Sequence, residues 1–200
     1  MPETASTKTW LSRDLVHLRK MAKKKEDENG AFGLFLKQDC DLETEEIDKL
    51  VFETTRRVWA GIDCTACANC CREVRPGFSE EEVDVLARRL GIERQQFIGK
   101  YLKRSDSDNN LWETRTTPCP FLKDNRCSVY EDRPAGCREY PYLYKPKFVS
   151  STIGMVWRTF TCPIVYEVME NLKRTFGFDG KVKRFWTRVY RGQDPGDYPV

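Results

Sequence analysis

The chain carries one histidine, His17, in 200 residues. That scarcity argues against catalysis built on an imidazole base, the Ser-His-Asp type included. It argues equally against a metal site of mixed cysteine and histidine ligation, because His17 is far from every cysteine run and reads as a solvated helix residue. No apolar run approaches the length of a membrane span. The opening segment, Met1 to Trp10, has no apolar stretch of the kind a secretory signal needs, so the expected compartment is the cytoplasm, where thiols stay reduced. There is no glycine-rich strand-to-helix turn for a nucleotide-like cofactor. The net charge is only +3, too small to argue for nucleic acid by itself.

Cysteine, by contrast, is abundant. There are nine, an odd number, which does not suit a domain stapled by disulfides. Eight lie between positions 64 and 162, and four form one run, Cys64-Thr-Ala-Cys67-Ala-Asn-Cys70-Cys71. Thiolates at two-residue gaps on a turn converge on a point, where a soft metal ion or an iron–sulfur cluster usually sits. Cys64, Cys67 and Cys70 therefore suit one shared centre. Cys71 directly follows Cys70, and adjacent side chains tend to point to different faces. The pair is expected to serve two centres, or to supply one ligand between them. Cys119, Cys127, Cys137 and Cys162 follow downstream, enough thiols for two four-thiolate sites or for one site with spare thiols. Arg72, Arg126, Arg133 and Arg138 stand beside cysteines in sequence and would offset the negative charge of such a site, unless they are ordinary surface arginines. Cys40 stands alone and reads as a small buried hydrophobe.

The pattern around the cysteines is mostly helical. Leu11, Leu15, Leu18 and Ala22 predict a helix from residue 8 to about 26, ending in a charged linker, 23–30. Ile47, Leu50, Val51, Thr54 and Val58 predict a second over 44–60, with the cysteine run in the turn after it. Ser79-Glu-Glu-Glu82 is a capping box opening a third, with Val83, Leu86, Ala87 and Leu90 inward. A short fourth spans about 93–103. Residues 111–116 are β-prone, and 119–130 read as a hairpin around Lys123-Asp-Asn-Arg126. Val149, Ser151, Ile153, Met155 and Trp157 alternate as in a strand. Cys162-Pro163 opens another helix with proline at its first position. The last, after Gly180, puts Val182, Phe185, Trp186, Val189 and Tyr190 opposite a basic face.

The block Cys64-x2-Cys67-x2-Cys70-Cys71, Cys119-Pro-Phe-Leu, Cys127-Ser-Val-Tyr-Glu-Asp-Arg-Pro-Ala-Gly-Cys137-Arg-Glu-Tyr-Pro141 and Cys162-Pro resembles the CxxCxxCC family, described as zinc- or iron-chelating. The likeness covers residues 64 to about 165. It implies that Cys64, Cys67, Cys70, Cys71, Cys119, Cys127, Cys137 and Cys162 are the metal-binding set. A relative, flagellin lysine-N-methylase, carries a similar cluster and uses S-adenosylmethionine, which implies methyl transfer as an alternative.

The expected fold is thus helix-rich α+β: a small irregular cysteine-cluster domain organised by metal and flanked by helices. The expected boundaries are 1–60 for an N-terminal helical extension, 61–170 for the metal-binding domain, and 171–200 for a basic helix and tail. The expected function is metal binding through cysteine alone, as an iron–sulfur cluster for electron transfer, sensing or structure, with zinc as the alternative. The metal ion or cluster is the expected partner. A protein partner is compatible with the sequence. Nucleic acid is disfavoured, because the aromatics of the basic helix have the spacing of a core face.

Overall fold

A computed structural model describes residues 14–198, the side chains of residues 65 and 66 excepted. In chain order the elements are α1 (Leu15–Gln38), α2 (Thr44–Trp59), α3 (Cys64–Cys67), α4 (Asn69–Glu73), β1 (Gly77–Phe78), α5 (Glu80–Arg89), α6 (Arg94–Tyr101), β2 (Leu102–Arg104), β3 (Trp112–Thr114), β4 (Leu122–Lys123), β5 (Arg126–Cys127), α7 (Ala135–Arg138), α8 (Phe148–Arg158), α9 (Pro163–Thr175) and α10 (Gly180–Tyr190). The fold is helix-rich α+β, with sheets of two and three strands. Two compact units form: Met1–Asp63 together with Pro141–Val200, and Cys64–Tyr140.

The first unit packs the long helices on an apolar interior that includes Phe32, Val51, Met155, Val165, Val168, Met169 and Leu172. Here α1 corrects the expectation of a break at 23–30. The helix continues to Gln38 because Ala31, Phe32, Phe35 and Leu36 prolong the buried stripe begun by Leu18 and Ala22. The charged stretch is held by partners. Lys25 meets Glu28 at 3.1 Å, and the buried Lys173 of α9 meets Glu28 at 2.6 Å and Asn29 at 2.9 Å. Gly30 is not a stop but a point of close approach: a Cβ there would run into the Tyr190 ring. A Cβ on Gly33 would lie 2.9 Å from the Thr152 hydroxyl. Residues 8–13 of the expected helix, Leu11 among them, lie outside the described residues.

The expected strand at 149–157 is instead α8. Phe148, Thr152, Met155 and Val156 are buried at helical spacing, while Ile153 is 69 % and Trp157 65 % exposed. Asp48 of α2 fixes the start of this helix, accepting the Lys147 and Phe148 N–H groups at 2.7 and 2.9 Å. A carboxylate contributed across 100 residues of sequence is invisible to periodicity. Helix α9 begins as expected, with Cys162 at its N-cap and Pro163 first. On α10 only Trp186 of the expected apolar face is fully buried, its indole donating to Asp39 at 3.1 Å. Lys183 and Arg191 answer the acids of α1, Glu28 at 3.7 Å and Asp27 at 2.6 Å.

The second unit is smaller and shorter in its parts. Strands β1, β3 and β2 form an antiparallel sheet in that order, with Phe78 opposite Trp112 and Leu102 opposite Thr114. Helices α5 and α6 add Val83, Leu86, Ala87 and Phe97 to a core shared with Phe78, Leu102, Phe121 and Val129. The capping box holds: the Ser79 hydroxyl accepts the Glu82 N–H, and the Glu82 carboxylate accepts the Ser79 N–H. Leu90, expected inward, is exposed at the C-cap. The fourth helix stops at Tyr101, and Leu102 enters the sheet instead.

Candidate metal centre

The cysteine run is two helical turns rather than a loop. Cys64 and Cys67 close α3; Cys70 and Cys71 ride on α4. Between them Ala68 takes a left-handed conformation, φ 50° and ψ 15°, which ends one turn and starts the next. Glycine is the residue suited to such a position, and alanine there is strained. The Arg72 guanidinium ties the two turns, donating to the Cys67 carbonyl at 2.8 Å and also to the Asn125 side chain.

The downstream cysteines reach the run through backbone and turns. The Cys119 N–H donates to the Cys71 carbonyl at 2.7 Å. Cys127 sits on β5 opposite Leu122, in a hairpin whose tip, Asp124 and Asn125, has φ of 47° and 64°. Those two left-handed residues are the ones a tight hairpin needs, so the expected turn is found. Helix α3 packs on β5, the strand carrying Cys127. Cys137 lies on the single turn α7. Its start is capped from α5, where the other oxygen of the Glu82 carboxylate accepts the Ala135 N–H at 2.6 Å. Nothing in the sequence reveals this second role of Glu82; the capping box accounts for only one of its oxygens.

Four of the thiols act on one another electrostatically. Burial pushes the Cys137 thiol up to about 12, and the charges of Cys71, Cys119 and Cys127 add to it. Burial pushes Cys119 up to about 11, with Cys71 and Cys127 contributing. Cys127 rises from burial and from Cys71. Cys71 moves the other way, to about 7: the Cys70 thiol donates a hydrogen bond to it, outweighing burial, and Arg133 and Arg72 assist. Arg133 is held for this by its own neighbour, its guanidinium 3.5 Å above the Tyr130 ring and its Nε donating to the Tyr130 carbonyl at 2.8 Å. Cys71, Cys119, Cys127 and Cys137 thus form one electrostatic group, with one ready thiolate among three thiols that resist ionisation. Such a set fits a thiophilic cation, or an iron–sulfur core, whose charge offsets mutual repulsion and releases protons on binding. Among the described residues no three His, Cys, Asp or Glu side chains stand as a ready-made metal-binding group.

Of the other cysteines, Cys70 touches the group directly through its hydrogen bond to Cys71. Cys64 is exposed, Cys67 buried and Cys70 half-buried on the adjoining turns. Cys162 is buried at the start of α9, and Cys40 is half-buried just after α1. Of the four arginines, Arg72 and Arg133 act on Cys71. Arg138 turns to Glu82, at 3.8 Å, and to the Arg133 carbonyl. Arg126 is exposed on the hairpin. His17 is exposed on α1, its backbone N–H held by the Asp14 cap at 2.9 Å.

Comparison with known proteins gives one match. The model of the CxxCxxCC family, described as "Putative zinc- or iron-chelating domain", matches residues 63–163, just over half of the chain. No curated protein and no solved structure matches. Among the described residues no helix is long and apolar enough to cross a membrane.

Proposed function

Because the chain belongs to the CxxCxxCC family of zinc- or iron-chelating domains, we propose that Cys71, Cys119, Cys127 and Cys137 hold a metal centre and that this centre is an iron–sulfur cluster. The observation that carries the reading is the mutual influence of these four thiols, in which the Cys71 charge bears on each of the other three. The two-residue spacings of the run and the Cys-Pro pairs favour iron–sulfur over zinc. Cys64, Cys67 and Cys70 supply a second group of thiolates on the adjoining turns. Cys162, which the family resemblance also implies as a ligand, caps the start of α9, where exposed N–H groups and the positive end of the helix dipole favour a thiolate.

When bound, the group supplies positive charge to four thiolates and, as a cluster, a one-electron couple. The chain's own residues do the rest. Arg133 and Arg72 stabilise the Cys71 thiolate, and before metal binds the hydrogen bond from the still-protonated Cys70 thiol holds its pKa down. Glu82 sets the turn that carries Cys137. The short elements of the second unit take their organisation from the centre, so its first role is structural. Protein purified without oxygen tests the reading. Brown colour with iron and acid-labile sulfide is the expected result; a colourless, zinc-loaded protein replaces the cluster by zinc. A folded protein that takes up neither metal overturns the proposal.

A further inference from the structure

The structure points to a polar group in the cysteine run that the metal-binding reading leaves unused, Asn69. It lies between Cys67 and Cys70, at the first position of α4, and is 3 % exposed. Its side-chain Nδ2 is buried with no hydrogen-bond partner. The nearest donor along the chain, Arg72, already satisfies the Cys67 carbonyl and the Asn125 side chain. A buried amide N–H without an acceptor is a cost, of the order of 1–3 kcal/mol, that most folds avoid. Cys67 and Cys70, on either side of it in sequence, carry thiols, and a thiol sulfur is a weak acceptor. A metal-bound thiolate sulfur is a much better one, since it carries charge.

We propose that Asn69 Nδ2 donates a hydrogen bond to a metal-bound sulfur of the Cys64–Cys71 run, and so couples ligand binding to relief of a buried, unmatched polar group. Asn69 is then a positioning residue of the metal centre. Its unpaired N–H is a cost in the metal-free chain, and that cost is relieved in the loaded one. The inference rests on the metal-binding reading above and adds to it which neutral residue tunes the sulfurs.

Asn69→Leu removes the donor at nearly constant volume. The full-length chain, freed of metal, is titrated with zinc against a chelator, and its metal-free thermal unfolding is followed in parallel. The expected result is a zinc dissociation constant raised about ten-fold or more, the scale on which groups behind metal ligands act, with metal-free unfolding unchanged or shifted upward. A merely structural asparagine gives the opposite pattern: metal-free unfolding drops and zinc affinity holds, and that result overturns the proposal. Asn69→Asp, which keeps the acceptor oxygen and the size but drops the donor, repeats the test if the leucine variant does not fold, and unchanged zinc affinity there overturns it too. A wild-type chain that takes up no metal overturns the underlying reading, and the inference with it. Wild-type zinc uptake with unchanged affinity in both variants overturns the inference alone.

Discussion

The two units of this chain solve the problem of staying folded by different means. Residues 1–63 and 141–200 do it with burial. Their helices reach 24 residues, and side chains such as Phe32, Val165 and Leu172 are fully excluded from water. Residues 64–140 have strands of two or three residues, a longest helix of ten, and a core whose fully buried members are fewer and come from short elements. Strands and turns of that length are marginal by themselves. Both units cap and pair their polar residues, and the second also concentrates seven of the nine cysteines. On the proposed reading, ligand chemistry would add in the second unit to an apolar core that is smaller than that of the first.

That contrast can be broken most directly at the thiols. Cys119→Ser or Cys137→Ser should abolish metal uptake and make 64–140 exchange its amide hydrogens rapidly, while the α1, α2 and α9 amides stay protected. Equal loss of protection throughout would erase the distinction. Phe32→Ala should do the reverse, costing about 3–5 kcal/mol in denaturant unfolding through the cavity it leaves, with bound metal per chain unchanged. Glu82→Gln should cost about 1–2 kcal/mol, since one carboxylate serves two backbone N–H groups, and it should weaken metal binding by loosening the Cys137 turn. The smallest change should be favourable: Ala68→Gly relieves the left-handed position and should stabilise by about 1 kcal/mol. Acid acts on the first unit through Glu28. The Glu28 carboxyl is pushed up by burial but held below its usual range by Lys173 and Lys25. Its contribution is therefore full above the unfolded carboxyl value and fades as pH falls through the lower folded one. Lys173→Met should remove that segment of the acid-unfolding curve of the first unit.

The same contrast explains what could be read without coordinates. Local rules held where the cause was local: the Ser79 cap, the Asp124-Asn125 hairpin tip and Pro163 at a helix start are all where chemistry within a few residues puts them. They failed where a distant partner decided. Gly30 breaks a helix on propensity, yet its lack of a side chain is what admits Tyr190. The stretch 149–157 alternates on paper, but Asp48 starts a helix there, and Thr152, not Ile153, faces inward. At the thiols, spacing offered eight cysteines as candidates and set Cys71 apart from Cys70 in direction, whereas the structure hydrogen-bonds the two side chains to each other. Spacing could not show that Cys71 shares its electrostatic surroundings with Cys119, Cys127 and Cys137, because the connection runs through a backbone hydrogen bond and a hairpin. Asn69 and the second use of Glu82 had no sequence signal at all.

The Glu82 carboxylate also bears on how the chain can be cut. Each of its oxygens holds a different stretch of backbone, one at Ser79 and one at Ala135. A fragment that starts after residue 82 leaves the Ala135 stretch without its clamp, and one that stops before 135 loses the Cys137 turn itself. Excising the cysteine-rich part for spectroscopy or for grafting onto another scaffold therefore has a minimum frame set by a residue that is not a cysteine. Joining the 64–71 run directly to the downstream cysteines, with residues 72–118 replaced by a linker, would keep every thiol and lose the turn that aims one of them.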